Sequence, residues 1–253
     1  MMGRSHALSG VLAVTAGAAY LTLDPLALVT AAMLVPGSSL LPDIDHARST
    51  VSRTYGPLTR GFSHLAGHRQ ITHSVPGVLM LGAVLAGCVA VRDGTAEPVL
   101  RDLHPAVQIG TTIVAYAFLC GVLILVLAAF VRLFRDLPGR AGSWFRRSWF
   151  DDLAPVPVVL SIVIFSDINL IMVPVAIMIG CVIHMLGDMI TKMGLPILWP
   201  LSKQKIKLAS IKAGGKIEKV VIVPAMIMGI VWCLGVLIMP GTLEFVDQIR
   251  AWW

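Results

Sequence analysis

The sequence predicts an all-α, polytopic membrane protein, a bundle of about six or seven transmembrane helices. Of its 253 residues, 57% are hydrophobic and only 13% are charged, and the mean hydropathy is +0.84. Soluble domains usually contain about 25% charged residues, so this composition excludes the ordinary soluble class. Apolar segments close to the ~18–20 residues needed to cross a bilayer recur along the chain, which is the second observation behind this prediction.

The candidate spans follow one another through the chain. A secretory signal is one interpretation of the first, because Arg4 precedes it and small residues lie near its end, but a second apolar run follows directly, so we expect an uncleaved helix. We expect residues 1–240 to form one transmembrane domain and 241–253 a short interfacial tail. The spans lie at about 7–23, 24–41, 71–91, 106–131, 168–187 and 219–239, with an ambiguous 13-residue segment at 154–166.

The positive residues define the orientation if 154–166 crosses the membrane. One side then holds 17 of the 20 Lys and Arg residues, and the other side keeps Arg92, Arg101 and Arg250. The positive-inside rule places the basic side in the cytoplasm. A tilted or re-entrant hairpin is the alternative for 154–166, and it would move the later motifs to the opposite side.

The net charge of +6 favours anionic lipid as a partner rather than nucleic acid. Near residues 138–150, arginines are mixed with Trp144, Phe145 and Trp149, a pattern typical of an interfacial segment attracted to anionic headgroups. We therefore expect contact with membrane lipids and no binding of nucleic acid. The oligomeric state is left open by the sequence.

Ionisable side chains converge on the predicted cytoplasmic side. The motif "LLPDIDH" follows the second apolar run, "GHRQITHS" precedes the third, and "HMLGD" ends the 168–187 run. Ionisable groups at that depth are energetically costly and usually functional. The candidate metal ligands are His6, Asp43, Asp45, His46, His68, His73, His184 and Asp188.

The spacing of these residues predicts the local structure around them. His184 and Asp188 are four residues apart, so on a helix they share one face and can bind one ion. Pro42 should end the preceding helix, and an extended "DID" would direct both carboxylates to one side. We expect His68 in the loop before the third helix and His73 in its first turn. Thr72 and Ser74 are expected to cap that helix.

Imidazole and carboxylate without thiolate favour zinc, with manganese or iron as alternatives, and the ligand count allows one or two ions. Two ions are typical of phosphoester hydrolysis. The four cysteines lie apart from one another within apolar runs and are typical of buried core residues. Other roles stay open: Asp43 could cap a loop, Asp45 could pair with Arg48 or Arg53, and His46 could donate to a ligating carboxylate.

Two further residues are candidates for catalysis. Arg69 lies between two of the histidines, and its guanidinium suits either a structural ion pair or a clamp on a phosphate or carboxylate. Glu218 stands just before the last apolar run. It is either solvated at the membrane interface or a ligand or general base.

These motifs, with the stretch "TKMGLPILWPLSKQKIKL", resemble the YdjM-like family of predicted inner-membrane, metal-dependent hydrolases. Their order and spacing match from residue 1 to about 220. The resemblance implies a multi-helix protein of the bacterial inner membrane with a metal centre at the motif positions. A looser similarity to helical zinc-dependent phospholipases rests on the H-x-x-x-D pattern alone.

The predicted function is hydrolysis of a phosphoester or related bond in a lipid or lipid-linked substrate by metal-activated water. A divalent-cation transporter is the alternative, although transport sites are expected near the middle of the membrane on broken helices. A third hypothesis is a non-catalytic scaffold whose basic loops recruit a cytoplasmic partner.

Overall fold

The computed structural model describes residues 2–46, 49, 51–52, 70–135 and 153–239, and this part of the chain is helical without a strand. Single turns of other geometry connect or extend the helices, notably Leu41–Asp45 and Ile71–His73, both 3₁₀, and the π-helical turns Ser161–Phe165 and Glu218–Ile222. The principal helices are α1 (Gly3–Tyr20), α2 (Pro25–Ser38), α3 (Val75–Arg92), α4 (Pro105–Arg135), α5 (Pro155–Leu160), α6 (Met172–Met189) and α7 (Val223–Ile238).

Five segments of the described chain are long and apolar enough to cross a membrane. Helix α1 has a comparable length but is not among them, and α5 with its π-helical extension covers only Pro155–Phe165. The prediction of an all-α membrane bundle is therefore confirmed. The five segments are Pro25–Asp45, Val75–Arg92, Pro105–Arg132, Met172–Met189 and Glu218–Ile238.

Local sequence explains where two of these helices begin. The carboxylate of Asp24 accepts hydrogen bonds from the backbone amides of Leu26 and Ala27, and a proline follows at the first helical position. At α3, the Ser74 hydroxyl accepts the amide of Gly77. Each cap satisfies amides that the first helical turn leaves without a partner. The predicted capping role of Ser74 is confirmed.

Helices α2 and α6 cross in close contact at the centre of the bundle. A Cβ atom at Gly180 would overlap the Ser38 hydroxyl oxygen and would lie 2.7 Å from the carbonyl oxygen of Val35. Glycine therefore lets the two backbones approach, as small residues do in membrane bundles. This approach places the next turn of α6, with His184, beside Ser39 at the end of α2.

Arg92 connects the far end of α3 to the segment that precedes α6. Its guanidinium donates to the carbonyl oxygens of Ile162, Val163, Ser166 and Ile168. Residues 162–168 therefore lie at the end of α3 away from its Ser74 cap. Helix α6 starts there and returns to the opposite end, so the motifs before α3 and at the end of α6 meet, as the seven-span arrangement predicts.

Gly180→Ala should destabilise the bundle by about 1–3 kcal/mol, because an added methyl group overpacks the α2–α6 crossing. The matched control is Gly121→Ala in α4, where a Cβ atom would meet open space. Thermal unfolding in detergent, followed by circular dichroism, is the measurement. Equal unfolding temperatures for the two variants would contradict the close crossing.

Candidate metal centre

Four distant segments bring their ionisable side chains together at one end of the bundle. They are the first turn of α1, the 3₁₀ turn after α2, the 3₁₀ turn before α3 and the last two turns of α6. His6, His73 and His184 are fully buried, and Asp188 is 1% exposed. Two groups among the described residues could hold an ion: His6, His184 and Asp188, and Asp43, His73 and His184.

Hydrogen bonds orient the ring of His184. Its Nδ1 atom lies 2.7 Å from the backbone carbonyl oxygen of Ser39. A carbonyl only accepts, so Nδ1 must carry the proton and donate it. The Nε2 atom of the neutral ring is then an unprotonated electron-pair donor that faces the cluster. This arrangement, with the second nitrogen bound to a carbonyl, is typical of metal-binding histidines.

The ring of His73 is held in the same way by a side chain. The Thr72 hydroxyl donates to Oδ2 of Asp45 at 2.7 Å, so its oxygen can accept a hydrogen bond from Nδ1 of His73 at 2.9 Å. Oδ2 of Asp45 is itself 3.4 Å from that Nδ1 atom. As in His184, Nε2 of His73 therefore points into the cluster as a donor atom.

The two Nε2 atoms face each other at a distance of 3.2 Å. Each also lies 3.7–3.9 Å from carboxylate oxygens of Asp43 and Asp188. Nitrogen and oxygen ligands about 2.0–2.2 Å from a tetrahedral zinc ion are about 3.3–3.6 Å apart. The spacing of the donor atoms thus fits a divalent cation.

His6 extends the cluster on the other side of His184. The two rings stack with centroids 3.8 Å apart, and Nε2 of His6 lies 3.2 Å from Oδ1 of Asp188. Nδ1 of His6 is buried and has no hydrogen-bond partner in the described part of the chain. His184 and Asp188 thus stand between His6 and the pair formed by Asp43 and His73, an arrangement with donors for one or two ions.

Charge around His73 favours a cation. Burial lowers the pKa of His73, but the hydrogen bonds and charges of Asp43 and Asp45 outweigh burial and raise the pKa to about 9. The same carboxylates that retain a proton on this ring also attract a metal ion. A metal ion must displace that proton, so its binding weakens as the pH falls.

Two sequence predictions about this site are wrong in detail. The "DID" segment is a 3₁₀ turn rather than extended. As a result Asp43 faces Nε2 of His73 and Asp45 faces Nδ1 of the same ring, so the carboxylates hold opposite edges of one imidazole. Thr72 does not cap α3; it bridges Asp45 and His73, a role that no local sequence signal indicates.

The remaining candidates either belong to neither metal-binding group or lie outside the described residues. His46 is exposed and belongs to neither metal-binding group, and Glu218 lies apart from both. The Glu218 carboxylate is buried and accepts hydrogen bonds from the Met2 amide, the Ser5 hydroxyl and the Gly214 amide. It therefore anchors the start of α1, which carries His6. His68 and Arg69 lie outside the described residues.

Comparisons with known proteins agree with the membrane character of the chain. The family model described as YdjM inner membrane protein matches residues 1–243. An uncharacterized protein of Bacillus subtilis (strain 168), YvsG, is 32% identical over 81 residues, which are 32% of this chain and 49% of YvsG. The chain thus spans about half the length of that curated relative. No solved structure matches.

Thr72→Ala should weaken metal binding by about 10–100-fold, because the hydroxyl that orients His73 is lost while the donor atoms remain. Thr72→Ser keeps the hydroxyl and should restore most of the affinity. Competition with a chromophoric chelator in detergent measures the affinity. Equal affinities for Thr72→Ala and the wild type would show that the hydroxyl does not position the ring.

Glu218→Ala should lower the free energy of unfolding by about 1–3 kcal/mol, because buried donors at the start of α1 lose their acceptor. Glu218→Gln, which keeps acceptor capacity, should lose less. Chemical unfolding in detergent and metal content are measured together. Unchanged stability of Glu218→Ala would contradict the anchoring role of this carboxylate.

Proposed function

Because the chain belongs to the YdjM family of inner membrane proteins and buries a His/Asp cluster that could hold metal, we propose that it is a membrane-bound, metal-dependent hydrolase. The proposed substrate is a phosphoester or related bond of a lipid or lipid-linked molecule. The observation that carries this proposal is the pair of Nε2 atoms 3.2 Å apart, surrounded by carboxylates.

In this proposal the buried imidazole and carboxylate side chains are the metal ligands. Asp43, His73 and His184 would hold one ion, and His6 and Asp188, which also lie beside His184, would hold a second. Zinc is the favoured metal for this imidazole and carboxylate set, with manganese and iron as alternatives. A divalent ion at such a site supplies activation of water and neutralisation of developing negative charge, which phosphoester hydrolysis requires.

The exposure of the candidate ligands supports an approach of the substrate from the side of Asp43. The Asp43 side chain is 22% exposed, whereas the three imidazoles and Asp188 are at most 1% exposed. Arg69, four residues before His73, is proposed to steady the oxyanion of the transition state, because a guanidinium binds phosphate oxygens in pairs. Neighbouring protein excludes bulk water from the buried ligands and strengthens such electrostatic contacts.

A basic loop beside the cluster supports an anionic substrate. The loop between α6 and α7 is tied to the site by hydrogen bonds from the Val75 amide to Ile197 and from the Thr191 hydroxyl to the carbonyl of Asp188. It contains no acidic residue between 189 and 217. Anionic headgroups and the cytoplasmic leaflet are the partners that such a surface favours. Its exposed lysines are Lys192, Lys203, Lys205, Lys207, Lys212 and Lys216.

The position of the cluster favours hydrolysis over ion transport. His6 is in the first turn of α1 and Asp188 in the last turn of α6, so the ligands lie at one end of the bundle. A transport site is expected near the middle of the membrane. Uptake of zinc into proteoliposomes that contain the wild-type protein would support the transporter instead.

His184→Ala should remove bound metal and reduce phosphoester hydrolysis to background, because His184 belongs to both metal-binding groups. The matched control is His104→Ala, an exposed histidine that caps α4 at the other end of the bundle. Elemental analysis of detergent-purified protein and release of phosphate from a panel of phospholipids are the measurements. Wild-type protein without stoichiometric metal, or a His184→Ala variant that retains it, would refute the proposal.

A further inference from the structure

An apolar cavity of about 410 Å³ lies between α3, α4 and the 3₁₀ turns that carry the candidate ligands. Its volume falls within the range of about 300–1,000 Å³ that is typical of small-molecule sites. The walls contributed by the helices include Val78, Leu81, Phe118, Val122 and Leu125, all hydrocarbon side chains. The cavity is therefore suited to a hydrocarbon ligand.

One end of the cavity adjoins the candidate metal centre. Pro42 and Ile44, which flank Asp43, line it, and so does Thr72, which precedes His73 and donates to Asp45. Thr72 is the one hydroxyl-bearing residue among the described residues that line the cavity. The chain segments that hold the polar cluster thus also form the end wall of the apolar cavity.

The other part of the cavity is reachable from the lipid-facing surface. Met80 and Val84 of α3 and Phe118 of α4 line it, and their side chains are 53%, 46% and 39% exposed. Both helices belong to the segments that are long and apolar enough to cross a membrane. A hydrocarbon chain can therefore enter from the bilayer without crossing water, whereas a polar ligand would lose its hydration there.

We propose that this cavity binds one hydrocarbon chain of the substrate, so that the phosphate at the end of the chain lies beside Asp43 at the metal centre. The inference rests on the proposed function and specifies its substrate class: an anionic lipid with the phosphate close to a single long chain, rather than a water-soluble phosphoester. Apolar burial of the chain binds the molecule, and the polar cluster receives its headgroup.

The test uses the full-length protein, incubated with zinc, and dodecyl phosphate with a diazirine at the chain end. After irradiation, mass spectrometry should locate labelling on residues 78–84 of α3 and 118–125 of α4. Val122→Trp, which fills the cavity, should reduce this labelling by about tenfold, because the chain loses its apolar contacts. Ile113→Trp is the matched control on the same helix, at a 63% exposed position outside the cavity, and should label like the wild type.

Metal content measured on the same samples separates the two proposals. Labelling that spreads over the lipid-facing helix surfaces, or that Val122→Trp leaves unchanged while zinc stays bound, would overturn the chain-binding cavity and leave the metal-dependent hydrolase standing. Labelling confined to the cavity in wild-type protein that binds no zinc would overturn the hydrolase and retain the cavity as a lipid site. Dodecanol with the same chain-end diazirine lacks the phosphate and is the control for the contribution of that group. Equal labelling by the alcohol would contradict a headgroup anchored at the cluster.

Discussion

The close approach of two buried imidazole nitrogens, from His73 and His184, is the constraint on which the rest of the site depends. Each ring already gives its Nδ1 proton to a fixed oxygen, so both Nε2 atoms face the cluster. Two buried imidazoles this close need a cation between their Nε2 atoms, either the proton that the raised pKa of His73 retains or a metal ion that displaces it. The carboxylates of Asp43 and Asp188 supply the compensating negative charge, which explains why ionisable groups are tolerated in so apolar a chain.

Holding this arrangement requires rigid backbone rather than flexible side chains. The carbonyl of Ser39 orients His184, and its position depends on the contact of α2 with α6 that Gly180 permits. Glu218 performs a related task for His6 by binding the amide and hydroxyl groups at the start of α1. Residues that never touch an ion therefore determine the geometry of those that would, as is usual for metal sites.

The sequence predicted much of this organisation, because hydropathy and helical spacing are local properties. It identified the helical membrane class, the shared face of His184 and Asp188, and the cap at Ser74. It missed the 3₁₀ turn at Asp43 and Asp45, because Pro42 predicts a helix end but also fits the first turn of a new helical segment. It missed the bridging role of Thr72, because that role depends on Asp45, 27 residues away in the chain. A hydroxyl beside a histidine carries no signal of its own until the fold supplies that partner.

The polar cluster and the apolar cavity together match a lipid, which has a polar headgroup and an apolar chain. The loop with exposed lysines is hydrogen-bonded to the backbone of Asp188 and of Val75, next to the cluster. The cavity runs from the cluster to the lipid-facing surface of α3 and α4. The phosphate of a lipid would meet the basic loop and the candidate metal ligands, and its hydrocarbon chain would meet the apolar cavity. A soluble phosphoester gains nothing from the cavity, and a free metal ion gains nothing from either the cavity or the basic loop. The proposed enzyme that acts on a membrane lipid therefore uses the cluster, the cavity and the basic loop, whereas a transporter or a scaffold leaves the cavity without a role.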